Sequence, residues 1–178
     1  MINNINVYKY NSILLLLGLS LVTSGFYSSS VDYTQTEKIE TMFKNTLPDY
    51  VLYTRVPRGL IISVKEEVLF NECEPKLNLC ACDFLNLFIK VLNTIPNDCV
   101  IENHTNCEDI KDNLSNWELS AVRSAKISEY FLKHNIPKDR IFEIGFGEKM
   151  PFYKNVSPEN IIFDNRIDFV IINYEAKR

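Results

Sequence analysis

The sequence predicts an α/β protein, specifically an α+β sandwich of order β-α-β-α-β-β with two main helices packed on one face of a mixed sheet. Short segments rich in β-branched residues predict strands at residues 59–64, 100–101, 141–144 and 167–173. A longer apolar segment over residues 77–94 predicts the first main helix. Apolar residues make up 46% of the 178 residues, which is enough for one compact domain and excludes a wholly disordered chain.

The second main helix has clear signals at both ends and is predicted over residues 116–134. Ser115 and Glu118 have the spacing of a capping box, in which each side chain satisfies a backbone N–H at the helix start. Asn135 can adopt the left-handed conformation that ends a helix, and Pro137 prevents its continuation.

The side chains of this helix, placed at about 100° per residue, separate into two faces. The face expected to pack on the sheet carries Trp117, Ala121, Ser124, Ile127, Ser128 and Phe131. The opposite face carries Glu118, Lys126, Glu129 and Lys133. Arg123 falls on the border beside Leu119 and Tyr130, where its stem can cover apolar surface while its charged head stays at the rim. This position suits either a ligand anchor or an ordinary solvated arginine.

The amino-terminal residues differ in composition from the rest of the chain. Lys9 precedes the uncharged stretch 12–27, which is apolar at its centre and rich in small residues at its end. Residues 1–27 are therefore predicted to be a signal peptide or an uncleaved membrane anchor, and both imply export to the cell envelope, on the periplasmic side. Residues 28–50 are expected to be a linker with a short helix, and residues 51–178 form the main domain.

Two classes of function are disfavoured by the composition and the motifs. The net charge is −4 and no run of Lys or Arg occurs, so a nucleic-acid partner is not expected. Catalysis needs a nucleophile or an acid–base group with a partner that orients it. His104 is expected in a loop, His134 at a helix end and Ser120 inside a helix without a strained turn. The sequence therefore predicts neither an enzyme nor a cofactor.

Five cysteines occur in the chain, and an odd number leaves at least one thiol unpaired. Export would place them in an oxidising compartment, where disulfides persist. Cys99 and Cys107 flank the end of one predicted strand and are the preferred pair. A zinc site would combine Cys80, Cys82, Cys107 and His104, but the Cys-x-Cys spacing lacks a matching second half, so no metal site is predicted.

Several motifs, in order, resemble the OmpA-like peptidoglycan-binding domain. The resemblance is clearest in His104-Thr105-Asn106 and in residues 115–125. The motif at residues 116–120, Asn-Trp-Glu-Leu-Ser, is similar to that of the family branch found in flagellar stator proteins of the MotB type. Further matches are Phe70 and residues 130–132, 135–137, 140–141, 145–151 and 164–168. The resemblance covers about residues 51–175.

The resemblance implies non-covalent binding of the peptidoglycan stem peptide, typically at diaminopimelate, which anchors the protein or its membrane to the cell wall. The ligand-binding positions that it implies are Arg123, Thr105, Asn106, Leu119 and Arg166. An arginine can hold a carboxylate through two parallel N–H···O bonds, and Arg123 takes that role by position. Leu119 would form part of the pocket wall.

Two positions depart from the family pattern. Asn106 stands where the family usually has an Asp, so it can form hydrogen bonds but cannot supply a full negative charge to an ammonium. Glu108 or Asp109 can compensate from the same loop. Asn165 stands where the family has the first of two Arg residues, of which only Arg166 remains.

The preferred function is a static peptidoglycan anchor, with a membrane contact through residues 1–27 if they are uncleaved and a homodimer as a further expectation. A MotB-like stator component is one alternative. No acidic residue occurs between Met1 and Val31, however, and an ion-conducting membrane segment needs an ionisable group. A second alternative is an envelope module that binds another protein and has a degenerate peptidoglycan site.

Overall fold

The structure is a computed structural model that describes residues 34–110, 113–150 and 164–173. The predicted signal peptide or anchor over residues 1–27 lies outside the described residues. Within the described part of the chain, no helix combines the length and the apolar character that crossing a bilayer requires.

A five-stranded mixed sheet forms the centre of the domain. Its strands are β1 (Leu52–Val56), β2 (Gly59–Lys65), β3 (Cys99–His104), β4 (Ile141–Gly147) and β5 (Arg166–Ile172). The order across the sheet is β1-β2-β5-β3-β4. The β3–β4 pair is parallel and the other neighbouring pairs are antiparallel, which confirms the predicted mixed sheet.

Three described helices pack with this sheet: α1 (Thr34–Lys44), α2 (Ala81–Leu92) and α3 (Asn116–Lys133). Short 3-10 turns cover Glu66–Val68 and Lys138–Arg140. The predicted start and end of α3 are confirmed, because Ser115 and Glu118 form a reciprocal capping box and Asn135 has a φ of 65°.

The core lies between the helices and one face of the sheet, and four phenylalanine rings form its centre. Phe88 of α2 lies 4.8 Å from Phe43, 5.7 Å from Phe131 and 4.3 Å from Phe169, measured between ring centroids. Because Phe43 belongs to α1 and is fully buried, the segment expected to be a linker contributes a helix to the core of the domain. Burial of aromatic rings at these distances stabilises the contact between helices and sheet.

Two elements differ from the prediction. Strand β1 is not among the predicted strands, because this edge strand pairs only with β2 among the described strands and none of its residues is buried, so its apolar signal is weak. Strand β4 was predicted over residues 141–144 but continues through Gly145 to Gly147, and Gly147 has a φ of 52°.

The packing of α3 on β4 also corrects the predicted helix face. A Cβ atom on Gly145 would lie 2.4 Å from the backbone nitrogen of Ala121, and one on Gly147 would lie 2.9 Å from that of Trp117. The helix backbone therefore lies so close to the strand that no large side chain fits between them. Trp117 consequently faces outward with 62% of its surface exposed, while Leu119 and Arg123 are fully buried.

The disulfide differs from the expected pair. Cys107 bonds to Cys73, with a Cα–Cα distance of 5.8 Å, and Cys99 is a free, buried thiol. Cys99 belongs to the apolar cluster under the helices, whereas Cys107 lies in the loop beyond the other end of β3, so the two cannot meet. Cys80 and Cys82 are free and exposed, and the disulfide removes Cys107 from any zinc site.

Candidate functional site

A cavity of about 570 Å³ opens where three chain segments converge. Because β5 is antiparallel to both β2 and β3, the carboxyl ends of β2 and β3 lie beside the amino end of β5. The lining comprises Lys65, Glu66, Glu67, Phe70 and Glu72 from the end of β2 and the segment after it, Asn106 after β3, and Asp164 and Asn165 before β5. Binding sites for small ligands commonly have volumes of about 300–1,000 Å³.

Arg123 lies at the base of this region and is completely buried, so the expectation that its head lies at the rim is wrong. Its Nη1 atom forms an ion pair with Glu66 Oε1, and the Glu66 side chain is 8% exposed. Glu66 is also a lining residue of the cavity, so the guanidinium reaches the cavity wall through its partner acid.

The remaining donors of Arg123 bind the segment after β2. Nε donates to the Glu74 carbonyl at 2.8 Å, and Nη2 donates to the Asn71 carbonyl at 3.0 Å. The guanidinium also lies over the ring of Phe70, with 4.9 Å between the guanidinium carbon and the ring centroid. Arg123 therefore fixes the conformation of the segment that carries Phe70 and Glu72.

Burial lowers the pKa of the Arg123 guanidinium from its ordinary value, while the charge and hydrogen bond of Glu66 and the charge of Glu74 act in the opposite direction. An arginine starts from so high a value that it stays protonated in proteins. The base of the cavity is thus a buried, charged pair in which the protein supplies both ions.

Thr105 completes this buried cluster. Its hydroxyl lies 2.5 Å from Glu66 Oε2 and 2.7 Å from Asn103 Oδ1, and it accepts a hydrogen bond from Arg123 Nη1 at 3.2 Å. Because a hydroxyl carries one proton, it donates to one of these two oxygens at a time. The predicted site residues Arg123 and Thr105 are therefore in contact, and Glu66, which the sequence analysis did not single out, joins them.

Asn106 is exposed at the cavity and is held through its backbone. Its N–H donates to Asn165 Oδ1 at 2.7 Å, and its carbonyl accepts from Asn165 Nδ2 at 3.3 Å. These two bonds connect the loop after β3 to the start of β5 across the cavity. Asn165, at the position where the family pattern has an Arg, therefore holds the loop that carries Asn106.

The disulfide braces the same region. It joins Cys73, in the segment after β2, to Cys107, which directly follows Asn106. The Asn116 side chain bonds both the N–H and the carbonyl of Cys107, at 2.8 and 3.1 Å. Two walls of the cavity are thus connected covalently, and the second wall is tied to the start of α3.

Of the predicted site residues, Asn106 lines the cavity, Arg123 and Thr105 contact its lining residue Glu66, and the others do neither. Leu119 is fully buried, and Glu108 and Asp109 are exposed in the loop after β3. Arg166 is buried, and its Nε donates to Asp168 Oδ2 at 2.9 Å. Side chains alternate between the two faces of a strand, and the side chains of Ile167 and Phe169 lie in the core. The side chains of Arg166 and Asp168 therefore lie on the sheet face away from the helices.

The acidic residues of the lining are the functional candidates that sequence reasoning missed. Glu66 and Glu67 directly follow Lys65, the last residue of β2. Polar residues just beyond a strand end are common in binding sites, and this was the available signal. This signal could not identify Glu66 as a site residue, because Glu66 reaches residues about 100 positions later in the chain only through the pairing of β2 with β5.

One group of residues has the chemistry of metal ligands. Glu102, His104 and Asp168 each bring one ligand atom to within 4.8 Å of the others, and all three are buried. Arg58 binds both carboxylate oxygens of Glu102, at 2.9 and 3.1 Å, and Arg166 binds Asp168. Since each carboxylate is already paired with a guanidinium, the group has little negative charge left to hold a cation.

Asp168 shows the effect of these partners. Burial would raise the pKa of its carboxyl, but contact with His104 and the charges of Arg166 and His104 bring that pKa below its ordinary value. The distance between His104 Nε2 and Asp168 Oδ2 is 3.3 Å. Ionised side chains therefore stabilise the sheet face that lies away from the helices.

Known proteins resemble this chain in sequence and in fold. The Bacillus subtilis protein YtxE is 33% identical over 139 residues, which are 76% of this chain and 57% of YtxE, so the chain spans somewhat more than half of that relative. A MotB-like protein from Desulfovibrio vulgaris has a TM-score of 0.70 and 26% identity, covering 79% of this chain and 94% of that structure. The periplasmic domain of Helicobacter pylori MotB has a TM-score of 0.62 and 17% identity, covering 72% and 83%.

The family assignment agrees with the topology and with the motifs at the ends of the strands. The sequence pattern of the OmpA family matches residues 69–163, which is more than half of the chain. The matched region begins just after β2 and contains α2, β3, α3 and β4. The chain therefore belongs to the OmpA family.

Proposed function

We propose that this domain binds the stem peptide of peptidoglycan non-covalently and thereby anchors its protein to the cell wall. The observation that carries the proposal is the cavity with Asn106 at its surface and the Arg123–Glu66 pair at its base. Membership of the OmpA family supports an envelope-associated binding role, and residues 1–27 are the proposed link to export or to the membrane.

The walls of the cavity suit a ligand with several polar groups. Lys65, Glu72 and Asn106 offer an ammonium, a carboxylate and an amide at the lining, so both donors and acceptors are available. The disulfide and the Asn106–Asn165 bonds fix the walls before the ligand arrives. A preformed site loses less conformational entropy on binding, which favours affinity.

In this proposal Arg123 positions the site, and the exposed residues contact the ligand. Its fully buried guanidinium holds the Asn71 and Glu74 carbonyls and the Glu66 carboxylate. Removing Arg123 would disturb the fold and the site together, so the exposed Asn106 is the better position for a test.

Retention of the purified chain on isolated peptidoglycan sacculi tests the proposal. Asn106→Trp fills the cavity while leaving the backbone bonds to Asn165 in place, and we expect it to abolish retention. Asp109→Trp places the same side chain on the same loop outside the lining, and we expect it to bind like the unmodified chain. Failure of the unmodified chain to bind sacculi, or equal binding by Asn106→Trp, would overturn the proposal.

A part in a flagellar motor is the second candidate function, favoured by the similarity to a MotB-like protein over nearly all of that structure. A strain that lacks this protein distinguishes the two. Loss of swimming with intact flagella, restored by the unmodified chain, would support the motor role. Normal swimming in a strain whose envelope has lost its attachment to the wall would support the static anchor.

A further inference from the structure

A groove with a volume of about 410 Å³ lies between α3 and the segment that precedes α2. Its lining comprises Pro75, Lys76 and Leu77 on one side and Val122, Lys126, Glu129, Tyr130 and Lys133 on the other. The five residues of α3 recur at helical spacing, so they form one stripe along the helix. The groove shares none of its lining residues with the cavity at the strand ends, so it is a separate surface.

The floor of this groove is apolar and preformed. Leu77 and Tyr130 pack against the core and remain partly exposed in the groove. Leu77 pairs with Phe70 in an isolated antiparallel bridge, which holds the wall before α2. The Tyr130 hydroxyl donates to Asn86 Oδ1 at 3.0 Å, which holds the wall on α3. A partner would therefore meet a shaped apolar surface that needs little further ordering.

The rim of the groove carries an excess of positive charge. Among the described lining residues, the ammoniums of Lys76, Lys126 and Lys133 accompany the single carboxylate of Glu129. Glu129 lies 3.1 Å from Lys126 Nζ and 2.7 Å from Lys133 Nζ, so one acid is shared by both lysines of the helix. Asp83 at the start of α2 also acts on the Tyr130 hydroxyl through its charge, and counting it still leaves one positive charge in excess.

We infer that this groove docks an acidic peptide segment of another protein, one that carries apolar side chains between its carboxylates. The apolar side chains would cover Leu77, Val122 and the Tyr130 ring and remove them from water. The carboxylates would face the lysine ammoniums, which gives the complementary charge that favours encounter and register.

The shape of the groove favours a peptide over a membrane. The stripe from Val122 to Lys133 is about 16 Å long at 1.5 Å per residue of helix, which matches roughly five residues of extended chain. A flat bilayer surface cannot enter the space between residues 75–77 and α3, whereas an extended segment can. The inference does not depend on the proposed function, since the two surfaces have different linings.

Binding of labelled peptides to the full chain, measured by fluorescence anisotropy, tests the inference. The probe is a fluorescein-labelled octapeptide in which glutamate alternates with leucine. One control peptide has lysine in place of each glutamate, and the other has serine in place of each leucine. We expect the probe to bind at least about tenfold more tightly than either control, with an affinity that falls as salt is added.

Two outcomes would overturn the inference. One is equal binding, or no binding, of the probe and both controls. The other is binding of the chain to phosphatidylglycerol vesicles without binding of the probe, which would assign the lysines to a membrane surface. Retention on sacculi reports on the other cavity and is expected to be the same with and without the probe.

A charge reversal locates the bound peptide. Lys76→Glu changes an exposed lining residue and is expected to weaken binding of the probe about tenfold or more. Lys90→Glu makes the same change on an exposed residue of α2 outside the lining and should bind the probe like the unmodified chain. Both variants should keep their retention on sacculi. Equal affinities of the two variants for the probe would place the peptide elsewhere and contradict the inference.

Discussion

The ion pair between Arg123 and Glu66 makes a quantitative prediction about stability. Arg123→Met keeps a long apolar stem but removes the cation, so the Glu66 carboxylate stays buried without a charged partner. Breaking a buried pair by removing one partner costs about 3–5 kcal/mol. Domains of this size have total free energies of unfolding of about 5–15 kcal/mol, so the variant is expected to lose a large share of its stability.

A double-mutant cycle isolates the pair from other effects of the substitution. Glu66→Gln removes the charge but keeps an acceptor for the Thr105 hydroxyl. We expect the combined variant with Arg123→Met to be more stable than the sum of the single losses implies, with a coupling energy of about 1–3 kcal/mol. Free energies of unfolding from urea titrations of all four proteins give this number.

An exposed arginine provides the matched control. Arg55 also contacts two acids, Glu37 and Glu40, but its side chain is 40% exposed. Arg55→Met should therefore cause a much smaller loss than Arg123→Met, because water screens and replaces its ion pairs. If Arg123→Met costs less than about 1 kcal/mol, or if the two single losses simply add, the buried pair does not hold the site together as described.

Three further predictions concern other parts of the domain. Cys73→Ser removes a disulfide that joins residues 34 positions apart, so the free energy of unfolding should fall by about 3–4 kcal/mol in urea titrations, and an unchanged midpoint would argue against the Cys73–Cys107 bond. Gly145→Ala places a methyl group 2.4 Å from the Ala121 backbone nitrogen, and this overpacking should cost about 1–3 kcal/mol, visible as a lower Tm. Because the pKa of Asp168 is lowered in the folded state, its carboxylate contributes to stability at pH values above the ordinary pKa of an aspartate. This contribution should be lost as the pH falls below about 4. Asp168→Asn should flatten the acid limb of stability against pH, and a limb as steep as in the unmodified chain would contradict this.

Local sequence signals predicted much of the fold. The limits of α3 follow from Ser115, Glu118 and Pro137, because a capping box and a proline act on backbone groups a few residues away. The β-branched segments predicted β2 through β5 for the same reason, although the strand ends differ by a few residues. The motif order of residues 104–106 and 115–125 was enough to indicate the family.

The candidate site could be predicted only in part. The sequence pointed to Arg123, Thr105 and Asn106 in one region, and the structure brings them together with Glu66. It could not show that Arg123 is buried, because a helix-wheel position at a border fits both a rim and a core. Which one applies depends on how closely α3 approaches β4, and Gly145 decides this through tertiary packing.

The sequence by itself determined the helices α2 and α3 and the strands β2 to β5 in their order, because these depend mainly on interactions between near neighbours in the chain, and its motifs indicated the family. Tertiary structure alone decided that Cys107 bonds Cys73 rather than Cys99, and that Arg166 lies on the sheet face away from the helices. It also decided that an acid 57 positions away neutralises Arg123. Such pairings depend on the register of strands and the approach of helices, which arise only when distant segments pack against one another.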